Sequence, residues 1–151
     1  MNLNDDLRGG TMCLGCVGLA LDASAKADAE TLADFAFAIN GRTYKKTSGD
    51  GDVQLDGNTV TAGYTALFLI VVSAAGTITA VKSDEVSNDD LESGESVLHW
   101  PVPTANTCPI GALKIKNASA SVFTGGTTLL DAANITTTFY DLLTVPATPL
   151  T

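Results

Sequence analysis

The amino-acid sequence predicts a mainly β protein: a single compact antiparallel β-sandwich or barrel with an N-terminal arm and little helix. Three observations predict this class. The pair Asn40-Gly41 separates two strand-like runs, residues 64–73 form a long β-branched and aromatic run, and Gly and Pro interrupt the last third at short intervals. Together these signals indicate about seven to nine short strands, a number that suits a sandwich or a barrel.

The length of 151 residues favours one domain, because a compact domain of this size buries ~70% of the surface that its unfolded chain exposes. We expect residues 1–32 to be an N-terminal arm or attachment segment. Residues 33–151 should then be a β domain that ends in an extended C-terminal tail. Pro146 and Pro149 mark this tail.

The arm contains one apolar stretch, from Met12 to Leu21. Its small apolar residues fit either a buried strand or a close-packed contact with another chain. Residues 22–32 lack a convincing apolar face and fit either a loop or one or two helical turns. The candidate contact residues of the arm are Met12, Leu14, Val17, Leu19 and Leu21.

The clearest elements of the β domain are two hairpins. Residues 35–39 and 42–47 flank Asn40-Gly41, and this pair predicts a type I′ turn because both central positions need a positive φ. Residues 64–73 and 77–82 flank an Ala-Ala-Gly turn. The first arm of this second hairpin is apolar on both faces, so we expect it to be central in its sheet or covered by a partner.

The other elements are shorter. Residues 84–95 carry six acidic side chains, a pattern that is typical of a solvated loop. The pair Gly125-Gly126 requires a turn. The remaining strand candidates are residues 53–55, 58–61, 97–102, 110–116, 120–123 and 136–143, and residues 129–133 suit a helical turn.

The formal net charge of −9 limits the possible partners. A negative surface repels phosphate backbones, so we expect no nucleic-acid partner. The longest apolar run, residues 66–75, is too short to cross a bilayer as a helix, and we expect no membrane partner. The acidic start differs from a signal peptide, so we expect a soluble protein made in a cytoplasm.

Few residues could carry chemistry. Cys13 and Cys16 form a C-x-x-C, and a zinc site would have to recruit His99 and Cys108 as further ligands. No second C-x-x-C or paired histidine supports that site, and three cysteines are an odd number for a disulfide framework. We interpret the cysteines as small buried hydrophobes and His99 as structural. The sequence therefore predicts no catalytic residue, no cofactor, no metal and no enzyme.

The last third of the chain, together with the two hairpins, resembles a recurring module of tailed-bacteriophage virion proteins. The similarity covers roughly residues 33–147, and this chain has Gly125 where the module has Pro. The motifs that carry it are Trp100-Pro101-Val102-Pro103, Cys108-Pro109-Ile110-Gly111, Phe123-Thr124-Gly125-Gly126-Thr127-Thr128 and Thr136-Thr137-Thr138-Phe139-Tyr140-Asp141.

This resemblance implies a structural protein of a tailed-phage particle, located on the capsid surface or in a fibre. The chain has neither heptads nor repeats of the kind found in long fibres. We therefore expect a capsid decoration, or cement, protein that binds the major capsid protein and stabilises the head. We expect a homo-oligomer, with a trimer favoured. The alternatives are a fibre or receptor-binding module and, further behind, an enzyme that uses His99 or the C-x-x-C.

Overall fold

The computed structural model describes residues 10–141, and their secondary structure is mainly β, as the sequence predicts. Several antiparallel sheets pack together in a sandwich-like arrangement, and the strands of residues 10–141 form no closed barrel. The strands are β1 Met12–Cys13, β2 Leu19–Leu21, β3 Ala29–Thr31, β4 Phe35–Ile39, β5 Arg42–Lys46, β6 Gly49–Val53, β7 Thr59–Val60, β8 Tyr64–Ser73, β9 Ile78–Lys82, β10 Val86–Ser87, β11 Thr107–Asn117, β12 Phe123–Thr124 and β13 Ile135–Asp141; the helix α1 is Asn88–Ser93.

The largest sheet has five strands, with β8 and β11 at its centre and β13 beside β11. Strands β9 and β10 pair with the same edge of β8, and between them the Ser83 N–H donates to the Leu67 carbonyl at 2.8 Å. They therefore act as one interrupted edge strand. The register of β11 on β8 shifts between Pro109 and Gly111, at a proline that has no N–H to donate to the ladder.

Three smaller sheets pack against the inner face of the large sheet, with strand orders β1-β4-β5, β2-β3-β6 and β12-β7. Side chains from all four sheets meet in one apolar core. Its largest fully buried members include Phe37, Leu55, Phe68, Ile70, Leu113, Ile115 and Phe123. Strand β8 lies between β9 and β11, so the prediction that this two-sided apolar run is central is confirmed.

Both predicted hairpins are confirmed. Strands β4 and β5 pair across Asn40 and Gly41, which have φ values of 50° and 76°. These two positive angles are what a type I′ turn requires. Strands β8 and β9 pair around a turn in which Gly76 has a φ of 81°.

The structure corrects the domain boundary that was predicted after residue 32. Strand β1 pairs with β4, and β3 pairs with β6, so residues 12–31 belong to the folded domain. Cys13, Val17 and Leu19 are buried in its core. The small apolar side chains of this stretch fill space between the sheets, which is why it is not a separate arm. Residues 1–9 lie outside the described residues.

Residues 22–28 form a turn rather than a helix. The Asp22 carboxylate accepts hydrogen bonds from the N–H groups of Ser24 at 2.6 Å and Ala25 at 2.9 Å, and from the Ser24 hydroxyl at 2.8 Å. This local bonding satisfies the backbone without a helix. It reverses the chain between β2 and β3, which pair with each other.

Two further expectations were wrong. The acidic residues 84–95 are not a loop throughout, because they include β10 and α1. Asp89 and Asp90 occupy the first helical turn, where the helix dipole favours negative charge, and the helix ends at Gly94 with a φ of 77°. Residues 97–102 do not form a strand; this segment instead places Trp100 on the outer face of the large sheet.

The shorter elements differ in length and position from the strands and the helical turn that the sequence predicts. Strands β6, β7 and β12 are shifted or shorter relative to the predicted runs, and residues 129–133 form turns rather than a helical segment. The last strand was expected to extend to residue 143. It is described up to Asp141, and its remaining predicted residues lie outside the described part.

Candidate interaction surfaces

The reactive side chains that the sequence singled out do not form a common site. Cys13 and Cys108 are buried, whereas Cys16 and His99 are exposed. The interpretation as a small buried residue is therefore confirmed for Cys13 and Cys108 and wrong for Cys16. Within residues 10–141, no three side chains of His, Cys, Asp or Glu are placed to hold a metal ion.

The two buried thiols have little nucleophilic character. Burial raises the pKa of Cys13, and burial together with the neighbouring Cys13 raises the pKa of Cys108 to about 12. The Cys13 thiol lies 3.0 Å from the Gly15 carbonyl, to which it can donate. Because the thiolate is the reactive form of cysteine, these two side chains serve as packing groups at neutral pH.

The five candidate contact residues of the predicted arm differ in exposure. Val17 and Leu19 are buried in the core of their own chain, Met12 and Leu21 are partly buried, and Leu14 is 51% exposed. Leu14 is thus the member of this set that offers most of its side chain to a neighbour. The contacts themselves stay a prediction.

Leu14 lies on a pair of neighbouring segments that carries a second exposed leucine. Residues 14–18 run alongside residues 32–36, joined by hydrogen bonds from Leu14 N–H to the Ala36 carbonyl at 2.9 Å and from Leu32 N–H to the Gly18 carbonyl at 3.2 Å. Leu32 is 62% exposed. We define the apolar strip as the exposed residues Leu14, Cys16, Leu32 and Ala33. Leu32 was missed in the sequence because its partner segment is distant along the chain.

A second surface is a groove on the outer face of the large sheet. Val81, Leu69, Ala112 and Tyr140 are cross-strand neighbours in one row over four strands, and Trp100 packs against this row. The Trp100 groove, as we define it, has a volume of about 430 Å³. Its apolar walls are Val81, Val86, Val97, Trp100, Pro101 and Val102.

The acidic segment beside this groove is anchored to the sheet. Buried Asn88 accepts a hydrogen bond from the Thr65 hydroxyl at 2.6 Å and donates to the Asn117 carbonyl at 3.1 Å. The Glu92 carboxylate pairs with Lys116 at 2.6 Å. The Glu85 carboxylate accepts from the Thr61 N–H at 3.2 Å. Several polar side chains of residues 84–95 are therefore already hydrogen-bonded or ion-paired within the chain.

Comparison with protein-family models, with curated proteins and with solved structures finds no match for this chain. Among the described residues, no helix has both the length and the apolar character needed to span a bilayer. Any assignment of function therefore depends on the residues and surfaces described above.

Proposed function

We propose that this chain is a structural protein of a tailed-bacteriophage particle, and that it decorates the outer surface of the capsid by binding the major capsid protein. The observation that carries the proposal is the resemblance of the C-terminal motifs to a module of virion proteins. In this fold those motifs provide framework elements: the central strand β11, the turn at Gly125-Gly126 and the strand β13. In this proposal, the role of these motifs is to support the exposed surfaces through which the chain contacts its neighbours.

The Pro-Ile-Gly step of the module has a packing role that supports this interpretation. Gly111 is buried in β11, and a Cβ atom at this position would lie 2.8 Å from the carbonyl oxygen of Tyr140 in β13. It would also overlap the Leu19 side chain. A larger residue would push the two strands apart, so the motif glycine allows β11 and β13 to pair.

The departure of this chain from the module at Gly125 also has a structural reason. The Gly125 N–H donates to the Asn58 carbonyl at 2.8 Å. A Cβ atom at Gly125 would overlap the carbonyl oxygen of Leu55. Proline has a bulky ring and no N–H, so this chain needs glycine where the module has proline. The turn itself is preserved, with a φ of 73° at Gly126.

The apolar strip supports a role in holding a neighbouring subunit. Exposed leucines gain free energy when a partner removes them from water, and Leu14 and Leu32 lie at the two ends of the same pair of segments. A protein that binds the assembled lattice and not its free subunits stabilises the lattice by mass action. The net charge of −9 suits an outward-facing position, because an acidic surface does not bind the packaged genome.

The test is cosedimentation of the purified chain with assembled heads of the phage that encodes it. We expect Leu14→Asp combined with Leu32→Asp to weaken binding by about tenfold or more, because two leucines then no longer bury apolar surface. The matched control is Val122→Asp, at a residue that is 54% exposed and outside the strip. Equal binding by the double variant and the wild type would contradict the role of the strip.

The fibre or receptor-binding alternative would use residues 84–95 to contact a cell surface. Their anchoring through Asn88 and Glu92 leaves them less free to adapt to a receptor. Binding of the purified chain to host cells, without binding to heads, would favour this alternative. The proposed homotrimer is tested separately by light scattering of the purified chain.

A further inference from the structure

Strand β13 lies at an edge of the large sheet, where β11 is its one strand neighbour within residues 10–141. Two hydrogen bonds at the end of this pair show which way the backbone groups point. The Ala118 N–H donates to the Asn134 carbonyl at 2.9 Å, and the Gly63 N–H donates to the Asn117 carbonyl at 2.9 Å. Even-numbered residues of β11 therefore bond to β13, and odd-numbered residues point their backbone groups toward β8.

The free side of β13 carries backbone groups without partners. Because hydrogen-bonded and non-bonded pairs alternate in an antiparallel ladder, the groups of Thr137, Phe139 and Asp141 point away from β11. In the part of the chain that the structure describes, these three N–H groups have no acceptor. A row of free donors and acceptors on an extended edge is a template for one further strand.

This edge is held in place by side-chain hydrogen bonds within its own chain. The Thr137 hydroxyl donates to the Leu130 carbonyl at 2.9 Å. The Asp141 carboxylate accepts from the Leu19 N–H at 2.9 Å. A strand that is already ordered loses less conformational freedom when a partner binds, so these bonds favour association.

The side chains of β13 lack the features that usually protect an edge strand. Natural edge strands often carry lysines, prolines or bulges that prevent pairing with another chain. Strand β5, at the edge of a smaller sheet, has Arg42, Lys45 and Lys46 among its residues. Strand β13 has no basic residue and no proline, and apart from Asp141 it consists of Ile, Thr, Phe and Tyr. These residue types favour strand pairing.

We propose that β13 of one copy pairs antiparallel with β13 of a second copy, about a two-fold axis at Thr138. Thr137 of each copy then lies opposite Phe139 of the other copy. Both residues point their free backbone groups outward, so they exchange N–H to carbonyl hydrogen bonds in both directions. The large sheets of the two copies become one continuous sheet.

The remaining cross-strand pairs suit a second copy as the partner. Tyr140 lies opposite Thr136, an aromatic and β-branched pair that stabilises antiparallel strands. The charged residues of β11 and β13 are Lys114, Lys116 and Asp141, so the strands nearest the axis do not carry the acidic excess behind the net charge of −9. Asp141 lies opposite an uncharged residue rather than its own copy.

A two-fold contact of this kind closes at two copies. The trimer that is expected from the sequence would need another surface, for which the apolar strip is available. The inference about β13 does not depend on the proposed function.

The experiment changes the residue on the axis. Thr138 is exposed and pairs with Lys114 across the β11–β13 ladder. Thr138→Lys would place two ammonium groups opposite each other on the axis, beside the two Lys114 side chains. We expect the dissociation constant of the pair, measured by light scattering over a concentration series, to rise by about tenfold or more.

A charge-swap mixture and a matched control make the test specific to this contact. Addition of the Thr138→Glu variant to the Thr138→Lys variant should restore pairing, because opposite charges then meet on the axis. The control is Thr43→Lys, which adds the same charge at an exposed residue of the edge strand β5 and should leave the dissociation constant unchanged. In the wild type, exchange of the Thr137 and Phe139 amide protons with water should slow as the protein concentration rises.

A mass of one chain at every concentration would overturn the proposal, and so would an oligomer that Thr138→Lys leaves intact. Slow exchange of the Thr137 and Phe139 amides in a monomer would show that the edge is covered within one chain, and would also overturn it. If Thr138→Lys does not fold, amide exchange in the wild type decides: rates for these two amides that do not depend on concentration overturn the proposal.

Discussion

Replacement of Asn117 by alanine should destabilise the fold strongly, because this side chain joins separate segments. Asn117 is fully buried at the end of β11. Its Nδ2 group donates to the carbonyls of Val60 at 3.0 Å and Ser121 at 2.9 Å. Its Oδ1 atom accepts from the N–H of Ser119 at 3.0 Å and from the Ser119 hydroxyl at 2.6 Å.

The magnitude follows from which of these groups water can reach after the substitution. Val60 is buried, so water cannot replace the bond that its carbonyl accepts from Asn117, at a cost of about 1–3 kcal/mol. Ser121 is exposed and Ser119 is partly exposed, so their bonds are replaced by water at about 0.5–1.5 kcal/mol each. If these contributions add, we expect the free energy of unfolding to fall by roughly 2.5–7.5 kcal/mol.

Urea denaturation followed by circular dichroism measures this change. The matched control is Gln54→Ala, which removes an amide side chain from an exposed position and should change the stability by less than about 0.5 kcal/mol. A loss below about 1 kcal/mol for Asn117→Ala, with an unchanged dependence on urea concentration, would refute the reasoning that this amide holds the segments together.

Three other predictions test the packing. Gly125→Pro should cost about 3 kcal/mol or more in urea denaturation, because it overlaps the Leu55 carbonyl, whereas Gly15→Ala, with no atom near the new Cβ, should be close to neutral. Thiol titration of the native chain at pH 8 should modify Cys16 rapidly and the two buried cysteines only after unfolding; rapid reaction of all three would contradict the burial. Burial raises the pKa of Cys108 to about 12, so this thiol ionises at a lower pH in the unfolded chain than in the folded one. The free energy of unfolding should therefore fall as the pH rises above about 9. Equal stability at pH 8 and pH 10 would contradict this prediction.

The sequence predicts those parts of the fold that depend on neighbouring residues. The β4–β5 hairpin was identified because Asn40-Gly41 determines its turn locally, and the β8–β9 hairpin because two β-branched runs flank a glycine. Residues 97–102 have the same local character as a strand. They form no strand in the fold, where Trp100 packs instead against apolar side chains on the outer face of the large sheet, a contact between distant segments that no local pattern indicates.

The parts that the sequence does not predict depend on contacts between distant segments. Strands β1 to β3 are two or three residues long, too short for a periodic pattern, so their stretch resembled an arm. The apolar strip requires residues 14–18 to lie beside residues 32–36, and no local signal indicates this. The Trp100 groove likewise combines three separate parts of the chain: β9 to β10, residues 97–102 and β13.

The most direct measurement is imaging of phage particles by electron cryomicroscopy, with and without this chain. Particles that lack the chain should lose density from the outer surface of the head, and addition of the purified chain should restore it at the same positions. Density that is lost from the tail or a fibre while the head surface stays unchanged would contradict the proposed role, and so would particles that show no difference.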